Sequence, residues 1–368
     1  MEKTAKSKIK VLVCPLNWGL GHATRMVPVV NAFLEQGCDV VVAASGGALQ
    51  YMKDEFGNRT DYLLYLGKEI RYSRGSGFFA RLTLQMPSLL YFIWAEYRWM
   101  QQTGKKLQPD IIISDNRYGA RSPHILSVFV THQLFIRMPR GMGWMEGIVR
   151  AINHRFIRAF HHCWVPDLEG EGSLSGALSQ KKILEEVRFV GILSRFSGHT
   201  KYPQPELDLP ESFILVILSG PEPQRSILEN ALEKQLTGKS VVFFRGITGE
   251  SVFVKKGLHY WFNHGDNALM GFALQNCELV ICRSGYSSLM DLSVFGKKAV
   301  LLPTPGQTEQ EYLAHMLAQK DCVAVLQQHE VQNLNSAMEK ALGLKGLSCI
   351  EDKDLVNEAV KYLIEKVR

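Results

Sequence analysis

A chain of 368 residues, 46% hydrophobic and 21% charged, has the balance of a soluble globular protein and the length for two α/β domains of ordinary size. Its seven cysteines are odd in number and form no Cys-x-x-Cys pair, so neither a disulfide framework nor a zinc site is supported, and a reduced, cytoplasmic setting is expected. The net charge of +6 is uneven: Arg71 to Arg158 carries thirteen Lys and Arg against four Asp and Glu, which leaves −3 for the remainder and predicts an anionic partner for the N-terminal half.

After a basic start, Met1 to Lys10, the apolar run Val11–Leu16 is too short for the core of a signal peptide and reads as a buried strand. Ile9–Pro15 is expected as that strand, Ala23–Gln36 as a helix closed by Gly37, and Asp39–Ala44 as a second strand. The basic surplus sits on two stretches rich in apolar residues, Phe78–Met100 and Met145–His162. In the second, Met145, Ile148, Val149, Ile152, Phe156 and Phe160 share one helical face, with Arg150, His154, Arg155, Arg158 and His161 around it. Such a helix can lie on an anionic membrane, so residues 78–100 and 145–162 predict a peripheral contact with the inner face of the cytoplasmic membrane. Each taken alone also fits a core-facing helix with a solvated basic side. Neither spans a bilayer, because Arg81, Pro87, Glu96 and Arg98 interrupt the first.

Strands are predicted at Ile111–Ser114, Ser127–Thr131 and Cys163–Val165. The Pro- and Gly-bearing stretch Ser197–Pro210 follows, and the pattern then restarts with Phe213–Leu218, Ser240–Phe244, Leu279–Cys282 and Ala299–Leu302. Strands alternating with helices imply parallel sheets. The restart implies two Rossmann-like domains, residues 1–195 and 196–348, with a last helical segment, 349–368, packing back on the first. Ligands of open α/β sheets bind beyond the carboxyl ends of the strands, and the chemistry-bearing motifs lie there.

Cys282-Arg283-Ser284-Gly285-Tyr286-Ser287-Ser288-Leu289-Met290-Asp291 joins a strand to a helix. Backbone N–H groups of Ser284 and Gly285 at the positive helix end, with Arg283 beside them, suit a phosphate. Asp291, two turns on, suits a ribose diol. Ser219-Gly220-Pro221-Glu222-Pro223-Gln224-Arg225 has the small-residue turn of a second phosphate loop but lacks the Gly-Lys-Ser/Thr of a P-loop. Arg245 ends the neighbouring strand and can reach the same pocket or stay a surface arginine. In the loop Pro303–Tyr312, Gln310 and Glu311 can meet sugar hydroxyls, while Thr308 and Glu311 also have the spacing of a helix capping box.

At the other sheet, Trp18-Gly19-Leu20-Gly21-His22 follows the first strand. Thr24 in the third-glycine position and the absence of an acidic residue after the second strand disfavour a dinucleotide site. His22 at a helix start is held neutral by the helix dipole, as a general base requires, although a simple capping histidine fits the position equally. Asp115, at the end of the Ile111–Ser114 run, can orient the imidazole as the acid of a triad does, or cap a helix. Asp352-Lys353-Asp354 has a metal-binding form but reads as a solvated helix start, and no metal or cofactor is expected.

These motifs resemble the GT-B-fold glycosyltransferases related to family 28, the family of the undecaprenyl-diphospho-muramoylpentapeptide N-acetylglucosaminyltransferase. The Gly19–His22 loop is similar to that family's Gly-rich loop with its His, and Cys282–Gly285 to its nucleotide-site motif. Asp291 falls where the family has a ribose-binding Glu, and Gln310 and Tyr312 match a Gln and a Tyr near the donor sugar. Thr308 and Glu311 depart from the family's acidic residue and second Gln. Lys68–Gly147 shows no match, so peptidoglycan synthesis is not implied.

The resemblance implies two Rossmann-like domains facing each other across a cleft, and a metal-independent inverting transferase that moves a sugar from a nucleotide-diphosphate sugar, UDP-linked by analogy, to a hydroxyl of an acceptor it does not identify; the basic aromatic face of the first domain points to a lipid-linked or membrane-associated one. Taken with the residue readings above, the resemblance makes His22 and Asp115 the catalytic pair and Gly21, Ser219, Gly220, Arg225, Arg245, Arg283, Ser284, Gly285, Asp291 and Gln310 the donor site. A sugar-nucleotide epimerase on the same fold and a non-catalytic nucleotide-sugar-binding protein are the alternatives; no nucleic acid is expected.

Overall fold

Runs of Val, Ile and Leu that are buried on both faces build two parallel sheets, the usual consequence of helices covering each side. The computed structural model describes residues 8–17, 19–65, 78–139, 141–180, 187–198, 201–207, 209–220, 222–247, 252–348 and 354–368, with backbone alone for 78–86. Trp18 of the glycine-rich loop, Pro221 of the second phosphate loop, and Asp352 and Lys353 lie outside the described residues.

The first sheet comprises β1 (Lys10–Cys14), β2 (Asp39–Ala44), β3 (Asp61–Leu64), β4 (Ile111–Asp115), β5 (Leu126–Val130), β6 (His162–Val165) and β7 (Val187–Phe189), in the order β3-β2-β1-β4-β5-β6-β7 and parallel throughout. Its helices are α1 (Leu20–Glu35), α2 (Gly46–Phe56), α3 (Phe78–Leu107) and α4 (Glu146–Ile157). The second sheet comprises β8 (Ile214–Ile217), β9 (Val241–Phe244), β10 (Phe253–Lys256), β11 (His259–Phe262), β12 (Leu279–Cys282), β13 (Ala299–Leu301) and β14 (Ala324–Val325), in the order β10-β11-β9-β8-β12-β13-β14. Only its edge pair β10–β11 is antiparallel. Its helices are α5 (Gln224–Gln235), α6 (Asn267–Asn276), α7 (Tyr286–Val294), α8 (Thr308–Gln319) and α9 (Leu334–Gly343). The chain ends in α10 (Leu355–Val367), capped by the Asp354 carboxylate, which accepts from Asn357 N at 3.3 Å. Ala359, Val360, Leu363 and Ile364 of α10 are buried, and the helix packs on α1 of the first domain, with Asn357 donating to Glu35 across the contact.

Glycine sets both ends of α1. Gly19 precedes it with φ +88°, a conformation that costs a side chain dearly, and Gly37 follows it with φ +73°. The amides of Gly37 and Cys38 donate back to Leu34 O and Phe33 O, the paired closure of a Schellman motif. The helix starts three residues before the expected Ala23 and so takes in His22.

Two expectations about the basic stretches change. Residues 145–162 are not one helix: α4 stops at Ile157 and His162 already opens β6. The shared apolar face is also not all inward, since α4 buries Asn153 and Ile157 while Ile148 and Ile152 stay exposed. The first stretch continues as α3 through Pro87 to Leu107. Loop 117–121 lies between α3 and α4: a Cβ on Gly119 would meet Glu96 Cβ at 2.4 Å, and Tyr118 OH donates to Asn153 Oδ1 at 2.7 Å.

Candidate active site

The carboxyl ends of the two sheets meet. Ser287 Oγ, in the first turn of α7, donates to Gly21 O, in the first turn of α1, at 2.9 Å. A Cβ on Gly21 would stand 2.8 Å from that Oγ, so the close approach needs glycine there. Neither helix has a side-chain N-cap or an acidic residue in its first turn. Two positive helix ends therefore converge on one spot. Thr308 Oγ1 donates to Arg137 O at 3.0 Å and Tyr286 OH to Pro166 O at 2.7 Å, two further bonds across the contact. The Thr308–Glu311 capping box does not form: Gln307 is the N-cap of α8, and Glu311 instead accepts from Gly306 N at 3.0 Å.

His22 Nδ1 lies 2.8 Å from Asp115 Oδ2. Asp115 is wholly buried as the last residue of β4, and its other oxygen accepts from Nε and an outer nitrogen of Arg25. Burial by itself would raise the Asp115 pKa, but the Arg25 charge, joined by His22, outweighs it and the net direction is down. A carboxylate so held accepts the imidazole proton at Nδ1, which leaves the Nε2 lone pair to act as base. The His22 pKa is lowered, first by burial, with Asp115 pulling it up and Arg25 pushing it down. Its side chain keeps 18% of its surface open, whereas Asp115 has none.

The pair continues toward the second domain. Arg25 faces His132 Nδ1 at 3.4 Å, and His132 Nε2 lies 2.7 Å from Glu309 Oε1 of α8. Sequence reasoning passed over Arg25, His132, Gln133 and Glu309. Arg25 sits one helical turn after His22, a spacing that could have flagged it; the others meet only through the fold.

On the donor side the expected residues gather at the ends of β8, β9, β12 and β13, but several are committed to other partners. Arg283 was expected to face a phosphate. It is completely buried, with its guanidinium donating to Leu302 O, Pro303 O, Gln224 O and Gln328 Oε1 at 3.0, 3.2, 3.1 and 2.6 Å. Desolvation pushes its pKa down to about 10. It fastens the loops that carry the motif. Arg225 and Arg245 likewise do not stand free: Glu229 lies between them, 2.6 Å from Arg225, and Glu222 takes the remaining side of Arg225. Asp291, expected at a ribose, accepts from Ser194 Oγ at 2.7 Å and lies 3.7 Å from Arg195 Nε. Burial raises its pKa against the pull of Arg195. Gln310 folds onto its own loop, accepting from Thr304 N at 2.9 Å and donating to Gln307 at 2.6 Å.

Ser284, buried, donates from Oγ to Gln310 O at 2.8 Å and so ties the two motifs together. Gly285 is the N-cap of α7. Ser219 and Gly220 follow β8, Gly220 with φ +100° and exposed. Ser194 and Arg195, in the segment joining the sheets, were also missed; Arg195 further donates to Asn267 of α6 at 3.0 Å. Among the described residues no group of three His, Cys, Asp or Glu is placed to hold a metal ion, and no helix is long and apolar enough to cross a membrane.

Residues 227–353 match the family model of the glycosyltransferase family 28 C-terminal domain. A UDP-N-acetylglucosamine–N-acetylmuramyl-(pentapeptide) pyrophosphoryl-undecaprenol N-acetylglucosamine transferase of Alkaliphilus oremlandii is 24% identical over 167 residues, 43% of this chain and 40% of that protein. Whole-chain likeness extends to the glycotransferase of kitacinnamycin, with TM-score 0.63 and 13% identity, covering 99% of this chain and 96% of that one. The MnaA of S. aureus in its co-structure with UDP gives TM-score 0.60 and 13% identity over 97% of this chain and 96% of its own. The fold is GT-B: two parallel-dominant α/β domains joined face to face.

Proposed function

We propose that the protein is a metal-independent, inverting glycosyltransferase that uses a nucleotide-diphosphate sugar, with His22 as the base. The observation that carries this reading is the Asp115-held His22 standing where the uncapped N-termini of α1 and α7 converge. His22 Nε2 takes the proton of the acceptor hydroxyl while that oxygen attacks the anomeric carbon. The new C–O bond forms on one face of the sugar as the bond to the diphosphate breaks on the other. The departing negative charge lands on preorganised N–H dipoles of the two helix ends and the Gly220 turn, a form of stabilisation that needs no rearrangement during reaction. Arg283 supports this by holding the loops rather than by touching the anion. The 24% identical relative named for UDP-N-acetylglucosamine and the UDP-bound neighbour support a UDP-linked donor.

The acceptor side is the exposed apolar and basic surface of the first domain. Tyr91, Trp94, Trp144, Ile148 and Ile152 are exposed, with Arg98, Arg150, Arg155 and Arg158 among them. An apolar patch ringed by cations suits an acceptor carried on an anionic membrane.

Thermal-shift screening against UDP-, GDP- and dTDP-sugars identifies the donor, since a ligand of the folded state raises its melting temperature by mass action. His22→Ala should then leave donor binding intact and reduce transfer by about 10²–10⁴-fold. Unchanged turnover removes His22 from the chemistry; interconversion of donor sugars with no transfer replaces the transferase by an epimerase.

A further inference from the structure

Glu309 belongs to the first turn of α8 in the second domain, yet its carboxylate ends on two side chains of the first. It accepts from His132 Nε2 at 2.7 Å and from the Gln133 carboxamide. The His132 ring lies flat on Tyr286, centroids 3.9 Å apart and 6° from parallel, so it cannot swing away. Its Nδ1 faces an Arg25 nitrogen at 3.4 Å. A guanidinium only donates, so Nδ1 is the acceptor there and the single ring proton sits on Nε2, directed at Glu309. Arg25 then donates to one oxygen of Asp115, and the other oxygen holds His22. Five side chains run unbroken from the donor-side helix to the base.

The charges give the chain a purpose. The groups packed around this cluster are Asp115 of β4, Arg25 of α1, His132 beyond β5 and Glu309 of α8, with Tyr286 of α7 on the face of His132. Besides the two imidazoles, the cluster holds one guanidinium, Arg25, and two carboxylates, Asp115 and Glu309. Burial and then Arg25 oppose a proton on His22 while Asp115 favours it, and the Glu309 charge, on the far side of Arg25, adds to the favourable side. The two carboxylates thus offset part of the burial cost when His22 takes the proton of the attacking acceptor oxygen. Glu309 stays ionised: burial would raise its pKa, but His132, His22 and Arg25 outweigh burial and the net direction is down.

We propose that Glu309 is a positioning residue for the His22 base: from the donor domain it fixes His132 and Arg25, and through them the Asp115–His22 pair, once the two domains meet. This rests on His22 being the base. It couples seating of the donor loop to readiness of the base, although Glu309 itself reaches only His132 and Gln133.

The test is the titration of the His22 ring, followed by NMR in the full chain. In Glu309→Gln the midpoint should move to lower pH, because a negative charge is lost beside Arg25. His132→Leu keeps the Glu309 charge but breaks the link, so it should lower UDP release without the same downward shift. His132→Gln should keep the wild-type midpoint, since its carboxamide offers the same acceptor to Arg25 and the same donor to Glu309. With UDP-N-acetylglucosamine as the probe donor and water as acceptor, UDP release should fall about tenfold in Glu309→Gln, with little change in KM. A midpoint unmoved in Glu309→Gln overturns the proposal, and a raised KM beside an unmoved midpoint assigns Glu309 to the sugar instead. The titration needs no turnover. If it shifts as expected while His22→Ala releases UDP at the wild-type rate, the base assignment falls and the electrostatic link stands.

Discussion

Ser287 Oγ donates to Gly21 O at 2.9 Å, a bond between residues 266 positions apart that joins the first turns of α7 and α1. It brings the helix that carries His22 and the helix that follows Cys282–Gly285 into register. A methyl at Gly21 would lie 2.8 Å from that Oγ and 3.1 Å from Ser287 Cβ. Gly21→Ala should therefore push the domains apart locally, lowering the unfolding free energy by about 1–3 kcal/mol and cutting turnover more than donor binding. Thermal unfolding checks the first effect. Adding Ser287→Ala removes the nearest atom and should restore part of the loss; no restoration would locate the strain elsewhere.

Arg283 offers a sharp choice between a structural and a ligand-binding role. Arg283→Met removes the donors to Leu302 O, Pro303 O, Gln224 O and Gln328 Oε1. Each orphaned buried acceptor costs about 1–3 kcal/mol, so a loss of roughly 3 kcal/mol or more is expected in urea unfolding. A variant as stable as wild type but weaker for UDP would return Arg283 to the diphosphate.

Stability should depend on pH through His22. Its folded pKa is lowered from 6.5, chiefly by burial, so on acidification the unfolded chain takes up a proton there before the folded chain does. Between the two pKa values the unfolded state binds more protons, and the unfolding free energy falls as pH drops. His154 is lowered too and acts in the same direction. In His22→Asn the slope of stability between about pH 7 and pH 5 should flatten, as denaturant midpoints across that range would show. The lowered Asp115 acts further down, its contribution being lost as pH falls below 3.8.

The exposed patch of α3 and α4 predicts attachment to anionic vesicles. Trp144 is 73% exposed and Ile148 55%. Trp144→Ser with Ile148→Ser should weaken co-sedimentation with vesicles rich in anionic lipid by at least about tenfold, from the apolar burial lost. Added salt should weaken the wild type through its arginines. Binding that ignores both changes would place the contact on another face.

Sequence by itself determined the alternation of strand and helix, the restart after the Ser197–Pro210 stretch, and the loops that carry chemistry. Those are local properties: buried parallel strands must be apolar, and a turn with φ +88° at Gly19 or +100° at Gly220 needs glycine. The short or edge strands β3, β7, β10, β11 and β14 escaped it, and β10, exposed along its whole length, shows why: an edge strand buries too little to impose a pattern. What the charged side chains do was decided by the tertiary structure. On sequence alone Arg283 and Arg245 read toward a phosphate, yet each is claimed by carbonyls or a carboxylate from other elements, while Arg225 is taken by Glu222 and Glu229 within its own loop and helix. Asp291 meets Ser194 and Arg195, and Glu309 meets His132, across 97 and 177 residues respectively. A buried charge takes whichever partner the packing brings within reach, because leaving it unpaired costs several kcal/mol. For Arg283 and Arg245 the packing of the second domain makes that choice, and for Asp291 and Glu309 it is made by contacts with segments that precede that domain, which no local pattern encodes.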